Sequence, residues 1–329
     1  MPYQHTPVML DEVLKYLNCS PGKTYVDCTL GGAGHAKAIC QKIVPGGFLI
    51  GIDQDKAALD NALEALKSYA SNMRLFHDNF IHLAPILSEL EIVAADGILL
   101  DLGLSLNQIA HSRRGFSFNK NEPLDMRMDV RTSLRAEEIV NTWDESKLAK
   151  TLRTFGEERW ARPIARKIVK IRKNRPIHSS KQLSEIVSAA IPKKKNDHHR
   201  IHPATRVFMA LRIAVNRELE YLDLFMKNVI QLLKHNGRLC VLSFHSLEDR
   251  IVKHRMKQLK MDCICPPDFP KCICNKKQMA SILTPKAIRP QKEELQFNPM
   301  ARSAKLRVIE KIAAYEENCR PPSKTPDVE

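Results

Sequence analysis

The sequence predicts an α/β fold, a doubly wound sheet interrupted once by an all-helical insertion. Three observations carry this. A short apolar run, Tyr25-Val26, ends in Asp27 and turns through Cys28-Thr29-Leu30-Gly31-Gly32-Ala33-Gly34-His35 into a helix-like stretch. Strand-like and helix-like segments then alternate as far as Asp101. From about His111 to His202 the alternation stops and only helical patterns remain, after which strands return.

The elements follow in order. Val8 to Leu17 has apolar residues at helical spacing, and Ser20-Pro21-Gly22 marks the turn after it. Thr24 to Asp27 is the first strand. A helix from about His35 to Ile43 stops before Pro45-Gly46-Gly47. Phe48 to Asp53 is the second strand, and Lys56 to Ala70 reads as a helix through Ala57, Leu59, Ala62, Leu63 and Leu66. Arg74 to His77 is the third strand and Leu83 to Leu90 a helix. Ala95 to Asp101 is the fourth strand, apolar enough to lie centrally in a parallel sheet.

Within the insertion, Ala136 to Asn141, Lys147 to Phe155, Trp160 to Arg172 and Ser180 to Ala190 read as helices. Pro123 to Asp129 reads as a structured loop, and Lys193 to Arg200 as an exposed polar segment. Thr205 to His235 reads as one helix stopped by Asn236-Gly237. Arg238 to Phe244 is the fifth strand and Leu247 to Leu259 a helix. Ser281 to Ile288 and Ala304 to Ile312 are two closing antiparallel strands, and the tail from Asn318 is expected to be disordered. The boundaries are 1–111 and 205–315 for the two parts of the sheet domain, 112–204 for the insertion and 316–329 for the tail.

The chain has 329 residues, with 52 Lys or Arg against 37 Asp or Glu, a formal charge of +15. Such a balance favours a polyanionic partner. Its distribution strengthens that: Lys147 to Arg217 holds 19 Lys or Arg against four acidic residues. No apolar run reaches the length of a membrane-spanning helix, and MPYQHTPVML lacks a basic region followed by an apolar core, so neither a membrane nor a secretory route is expected. Nine scattered cysteines in such a chain point to reduced thiols in the cytoplasm, with metal binding open to any cluster.

Strand, glycine-rich turn and helix together let a ligand lie against bare backbone. Asp53 closes the second strand about 20 residues beyond the turn, where a carboxylate can accept from both hydroxyls of a ribose. Dinucleotides and S-adenosylmethionine both suit this layout. Gly31, Gly32 and Gly34 do not match the G-x-G-x-x-G spacing of dinucleotide sites. Asp27 at the strand end would repel a pyrophosphate, but could help hold the cationic amino-acid end of S-adenosylmethionine, directly or through water. Asp78-Asn79-Phe80 could present an amide and an aromatic face to adenine. These points favour the methyl donor.

The same residues carry a resemblance. His5-Thr6-Pro7-Val8, the turn from Asp27 to His35, Asp101-Leu102-Gly103-Leu104-Ser105, Arg114 to Phe118, Pro123 to Asp129, Gly156-Glu157-Glu158-Arg159, His202 to Arg206, Ser243 to Arg250 and Asn298 to Ser303 together resemble the bacterial small-subunit (16S) ribosomal RNA cytosine-N4 methyltransferases. The resemblance runs from His5 to about Glu310. It implies a class I, Rossmann-like S-adenosylmethionine-dependent methyltransferase sheet interrupted by a helical substrate-recognition domain. It implies N4-methylation of a cytidine in the decoding region of 16S rRNA, with the small ribosomal subunit as partner and no DNA. Oligomeric state stays open between monomer and homodimer. Donor-binding positions fall on Ala33, Gly34, His35, Asp53, Phe80, Asp101 and Gln108. Ala33 stands where the family often has Gly, and Leu106-Asn107 replaces the Ser-Pro that many relatives carry before the glutamine. That puts a catalytic second serine in doubt here.

Methylating the exocyclic N4 of cytosine is demanding because its lone pair is delocalised into the ring. A catalyst must accept hydrogen bonds from the amino group and hold nitrogen, methyl carbon and sulfur nearly in line. Asp101 is the leading candidate to accept from N4–H or to orient the methionine end of the donor; a helix cap is its plainer role. Ser105 could contact the base, and His245 the base or a phosphate, with Phe244 stacking. A capping Ser246 and a packed His245 are the structural alternative, and Glu248, Asp249 and Arg250 are expected in salt bridges. Arg113, Arg114, Phe116, Phe118 and Arg127 set basic groups beside aromatics, as single-stranded RNA recognition needs, although both phenylalanines would also suit a core. Cys263-x-Cys265-x6-Cys272-x-Cys274 could form a tetrahedral zinc site or remain free or redox-active thiols. Some relatives lack these cysteines, which places them outside the chemistry. A methyltransferase of another base or of protein, and an RNA-binding assembly protein without catalysis, are the competing functions.

Overall fold

The computed structural model describes residues 6–192, 202–266 and 272–312. His5, the polar segment Lys193 to Arg200 and the tail from Asn318 lie outside the described residues. Among the described residues seven strands form one sheet: β1 (Thr24–Asp27), β2 (Phe48–Asp53), β3 (Met73–His77), β4 (Ala95–Asp101), β5 (Leu233–Ser243), β6 (Ala280–Ile282) and β7 (Lys305–Lys311), in the order β3-β2-β1-β4-β5-β7-β6. β1 to β5 run parallel, and β7 and β6 close the far edge antiparallel. The helices are α1 (Leu10–Leu17), α2 (Gly34–Ile43), α3 (Lys56–Ala65), α4 (Leu83–Glu89), α5 (Leu106–Ala110), α6 (Ala136–Thr142), α7 (Glu145–Gly156), α8 (Ala161–Arg172), α9 (Ser180–Ala190), α10 (Ala204–Asn216), α11 (Glu218–Asn228), α12 (Ser246–Lys260) and α13 (Lys292–Phe297).

Register explains why the central strands read as unbroken apolar runs. Val26 pairs with Ile50 and Ile98, and Ile98 with Leu239. These side chains share one face, buried under α4, α11 and α12. Their neighbours Leu49, Leu99, Cys240 and Leu242 face the other side, under α1, α2 and α3. Both faces are covered, so alternation between apolar and polar disappears. Each fully buried Leu or Ile contributes roughly 1.5–3 kcal/mol. A third core spans Phe116 to Val215 and joins α6 to α9 with α10. That helical block follows β4 and α5, beside the carboxyl edge of the sheet.

The four insertion helices stand within two residues of their predicted bounds, because their apolar spacing is regular. Three predicted elements need correction. The helix from Lys56 ends at Ala65, and Lys67–Asn72 is a 3-10 turn. The helix expected over Thr205 to His235 is broken at Arg217, which takes a left-handed φ of 52°, and β5 already begins at Leu233. Asn236-Gly237 is not a helix stop. It sits in an irregular stretch of β5, where the register jumps from Ala95–Leu233 to Gly97–Arg238. A Cβ on Gly237 would stand 2.8 Å from the Lys234 carbonyl oxygen. The strand expected over Ser281 to Ile288 is confined to Ala280–Ile282, with Ile288 forming a lone bridge to Leu306.

Candidate active site

β1, β2 and β4 each end in an aspartate: Asp27, Asp53 and Asp101. β1 lies between β2 and β4, so successive connections leave it in opposite directions and open a crevice above its carboxyl end. The turn after β1 is tied to both neighbours. Leu30 N–H donates to Ile52 O and Gly31 N–H to Asp53 Oδ2 at 2.9 Å, while Asp101 N–H donates to Thr29 Oγ1 at 2.7 Å. Gly31 and Ala33 take left-handed φ values of 46° and 60°. That is why glycine suits position 33 and why alanine there is a local cost. Gly34 answers a packing demand as well, since a Cβ would press to 2.9 Å from the Pro7 ring.

Above this edge lies a cavity of about 730 Å³, walled on one side by the turn and strand ends and on the other by the helical block. Gly34, His35, Asp53, Asp101, Ser105, Gln108 and His245 all line it, so most of the predicted site residues converge. Two do not. Ala33 is buried in the core beneath the turn, its backbone starting α2. Phe80 does not offer a ring to adenine as expected. It is buried, edge-on to Phe225 at 5.2 Å, because the 3-10 turn Phe80–His82 rolls it into the sheet core. The Asn79 side chain is also engaged, accepting from Ile81 N–H and donating to Gln54 Oε1.

The floor is acidic and short of partners. Asp53 accepts from Gly31 and Asp55 N–H through separate oxygens, which leaves lone pairs on each. Burial pushes its carboxyl up to about 6 against those two bonds. Asp27 is 1% exposed and does not line the cavity; burial, then the neighbouring Asp53, push it up to about 7. Asp101 is held well above the usual carboxylate range by burial and by Asp27 and Glu248. Asp27 Oδ2 and Asp101 Oδ1 are buried without a hydrogen-bond partner among the described residues. His35 Nε2 meets the Val8 carbonyl at 3.0 Å, so that nitrogen carries the proton, and Nδ1 faces Asp101 Oδ2 at 3.5 Å. Arg212 in the wall is already held by both carboxylate oxygens of Glu218. A floor of unmatched carboxylates fits a ligand with a sulfonium and an ammonium and repels a pyrophosphate.

Other predicted residues serve as supports. Ser105 caps α5 by accepting from Gln108 N–H, and Gln108 Oε1 accepts from Ser105 N–H in return. Gln108 Nε2 donates to Asp55 Oδ2 at 2.9 Å, so one of its two amide hydrogens is used within the protein. His245, not Ser246, caps α12, paired with Glu248. His245 Nε2 approaches Glu248 Oε1 at 3.0 Å but is poorly aligned for a hydrogen bond. Burial opposes ionisation of Glu248, yet His245, Arg212 and the Phe244 N–H hold its carboxyl below the usual range. Ser246 and Arg250 instead bind Glu157 of the helical block, and Asp249 binds Lys305 and Arg307.

Of the arginines expected to hold RNA, Arg113 is exposed, whereas Arg114 and Arg127 are turned inward. Arg114 pairs with Asp55 and donates to the Arg127 and Met128 carbonyls, and Arg127 grips Asp125 through two nitrogens. Phe116 is buried, and Phe118 stacks on His202 at 4.6 Å. Asp55 is the residue sequence reasoning missed. It caps α3, accepts from Gln108 and Arg114, and so joins the sheet to the block. Its position two residues after Asp53, just before a helix, was the available signal. Asn298 to Met300 also wall the cavity, a place that the Asn298 to Ser303 motif alone did not reveal.

The profile of the MraW methylase family matches residues 2–312, nearly the whole chain. The chain belongs to the MraW methylase family. Its relatives include proteins named ribosomal RNA small subunit methyltransferase H from Desulfosudis oleivorans, 53% identical over 95% of this chain and 100% of that one, and from Desulforapulum autotrophicum, 51% identical with the same coverage. The protein of that name from Clostridioides difficile is 45% identical, again over 95% and 100%. A member of this family is a methyltransferase with S-adenosylmethionine as its cofactor, and the acidic floor agrees with that donor. The sheet is accordingly a class I methyltransferase sheet. Among the described residues no helix is long and apolar enough to cross a membrane.

Proposed function

We propose that this protein methylates N4 of a cytidine in the decoding region of 16S ribosomal RNA, acting in the cytoplasm. The observation that supports it most is the two-sided cavity. An acidic, hydrogen-bonding sheet edge suits the cationic donor, and facing it an apolar wall of Phe116, Phe118, Met126, Met128 and Phe208 suits a flat base. The names of the relatives support small-subunit rRNA as the acceptor. The surface of α7 and α8 supports a polyanion, with Lys147, Lys150, Arg153, Arg162, Arg166 and Lys170 all exposed.

Bound S-adenosylmethionine supplies an electrophilic methyl group. The protein supplies position and electrostatics. Asp53 holds the ribose hydroxyls with its remaining lone pairs. Asp101 Oδ1 accepts from the amino group and favours the pyramidal nitrogen as the methyl arrives. As the N–C bond forms, the donor's S–CH3 bond would break with its electron pair left on sulfur as a neutral thioether, and the nitrogen would shed a proton toward the Asp101–His35 side or to water. Residues 112–204, with α10 as the inner wall, act as the substrate-recognition domain, and the base must leave its stack to reach the donor. Intact Asp53, Asp101 and glycine turn stand against a scaffold that has lost catalysis.

The test is mass analysis of 16S rRNA from a strain lacking the gene. Loss of an N4-methylcytidine, restored by the wild-type gene and not by Asp101→Asn, is expected. An unchanged N4-methylcytidine signal would refute the acceptor.

A further inference from the structure

The geometry points to a structural zinc site formed by Cys263, Cys265, Cys272 and Cys274. All four Sγ atoms lie within 4.8 Å of one another. Cys263 stands 3.5 Å from Cys272 and 3.8 Å from Cys274, Cys272 lies 3.5 Å from Cys274, and Cys265 lies 4.0 Å from Cys272. Four thiolates bound tetrahedrally at about 2.3 Å from one zinc ion would stand about 3.8 Å apart. The sulfurs therefore already occupy the corners such an ion needs.

The backbone is arranged to favour thiolates. Ile264 N–H donates to Cys274 Sγ, Cys265 N–H to Cys263 Sγ, and Ile273 N–H to Cys265 Sγ, each at 3.4 Å. A neutral thiol is a weak acceptor, so three N–H groups aimed at sulfur fit charged ligands, in the manner of the hydrogen bonds that orient metal ligands elsewhere. The two Cys-x-Cys pairs cross-link the chain leaving α12 to the chain approaching β6, where Met279 N–H reaches Leu259 O at 2.9 Å. The segment has little apolar burial to hold it. Ile264 and Ile273, the residues between the paired cysteines, are 62% and 67% exposed. A metal cross-link supplies what a core would otherwise supply.

The choice of ion and its role follow from the donors and the place. Four sulfurs in a tetrahedral array select zinc or iron, and zinc, which takes no part in redox chemistry, needs nothing else from its surroundings. The cluster lies past the far end of α12, a helix of about 22 Å whose N-cap His245 lines the cavity, so the ion acts on structure and not on methyl transfer. The other convergent group among the described residues, Glu218, His245 and Glu248, is already used by Arg212 and by the cap of α12.

Elemental analysis of the full chain, purified with reductant and without added metal, is expected to give one zinc per chain. The variant with all four cysteines changed to serine is expected to hold none. Cobalt(II) exchanged into the wild-type protein is expected to show the visible bands and thiolate charge transfer of a tetrahedral S4 site, which reports on the site even if the serine variant fails to fold. Retention of zinc by the folded quadruple variant would overturn the assignment. So would iron in place of zinc, or wild-type protein with four titratable thiols that takes up neither zinc nor cobalt.

Discussion

The two walls of the cavity are built on opposite principles. On the sheet side, Asp53, Asp101, Thr29 and the Gly31 amide form a polar lattice in which carboxylates outnumber cations. On the side of the helical block the lining is mostly apolar, its Arg212 neutralised by Glu218, and Arg114 and Arg127 point away from solvent into ion pairs that brace the block. A small cationic donor is held by fixed charge and directed hydrogen bonds. A base delivered by a long RNA is received by shape, with phosphate binding left to exposed side chains such as Arg113 and those of α7 and α8. The two walls meet at Asp55, which the sheet side supplies and which Arg114 reaches from the helical block.

The sharpest way to break this division is at the joint. Arg114→Ala leaves Asp55 facing fewer partners and opens two backbone carbonyls, and it is expected to destabilise the protein by about 3–5 kcal/mol in urea unfolding. Arg114→Lys is expected to restore only part of that, because an ammonium cannot reach Asp55 and both carbonyls as the guanidinium fork does. On the sheet side, Asp101→Asn is expected to lower single-turnover methyl transfer by about 10²- to 10³-fold. Its donor affinity should stay within about tenfold of wild type, the signature of an interaction made chiefly in the transition state. Asp53→Ala should do the reverse, weakening donor binding about 10- to 100-fold by calorimetry through lost hydrogen bonds to a charged acceptor. Unchanged affinity would refute the ribose role.

Smaller effects sharpen the contrast. Reversing the charge of Lys150, Arg153 and Arg162 together should weaken rRNA binding and flatten its salt dependence by about two units of slope, with donor affinity unchanged. Donor binding should also follow pH. Asp53 and Asp27 are raised to about 6 and about 7, so in the free protein they hold protons that the unfolded chain has already released. The folded state binds more protons, and its stability falls as pH rises through this window. A cationic donor favours the ionised acids, so its affinity should rise by up to about tenfold per pH unit as pH climbs from 6 to 7. Calorimetry in buffers of different ionisation enthalpy would show proton release on binding.

Much of this was legible in the sequence, for reasons that particular residues make plain. β1, β2 and β4 are buried on both faces and end in acids, so their apolar runs and their last residues both stand out. The insertion helices repeat their apolar residues regularly. What failed was local. Asn236-Gly237 has the chemistry of a helix stop but serves an irregularity inside β5, because pairing with β4 overrides the turn signal. Phe80 looked available to a ligand, but the short turn that carries it rotates the ring into the core. Arg114 and Arg127 read as RNA contacts because a charge run does not show which carboxylate each side chain meets. Asp55 was overlooked since a single capping aspartate carries no sign of the long-range partners that give it importance.

The most direct measurement is incubation of the purified protein with S-adenosylmethionine bearing a deuterated methyl group and small ribosomal subunits from a strain lacking the gene, followed by nucleoside mass spectrometry of the rRNA. The label is expected on N4 of a single cytidine in the decoding region of 16S rRNA, absent when Asp101→Asn replaces the wild type. Label on another atom, on ribosomal protein, or nowhere while the donor still binds would contradict it.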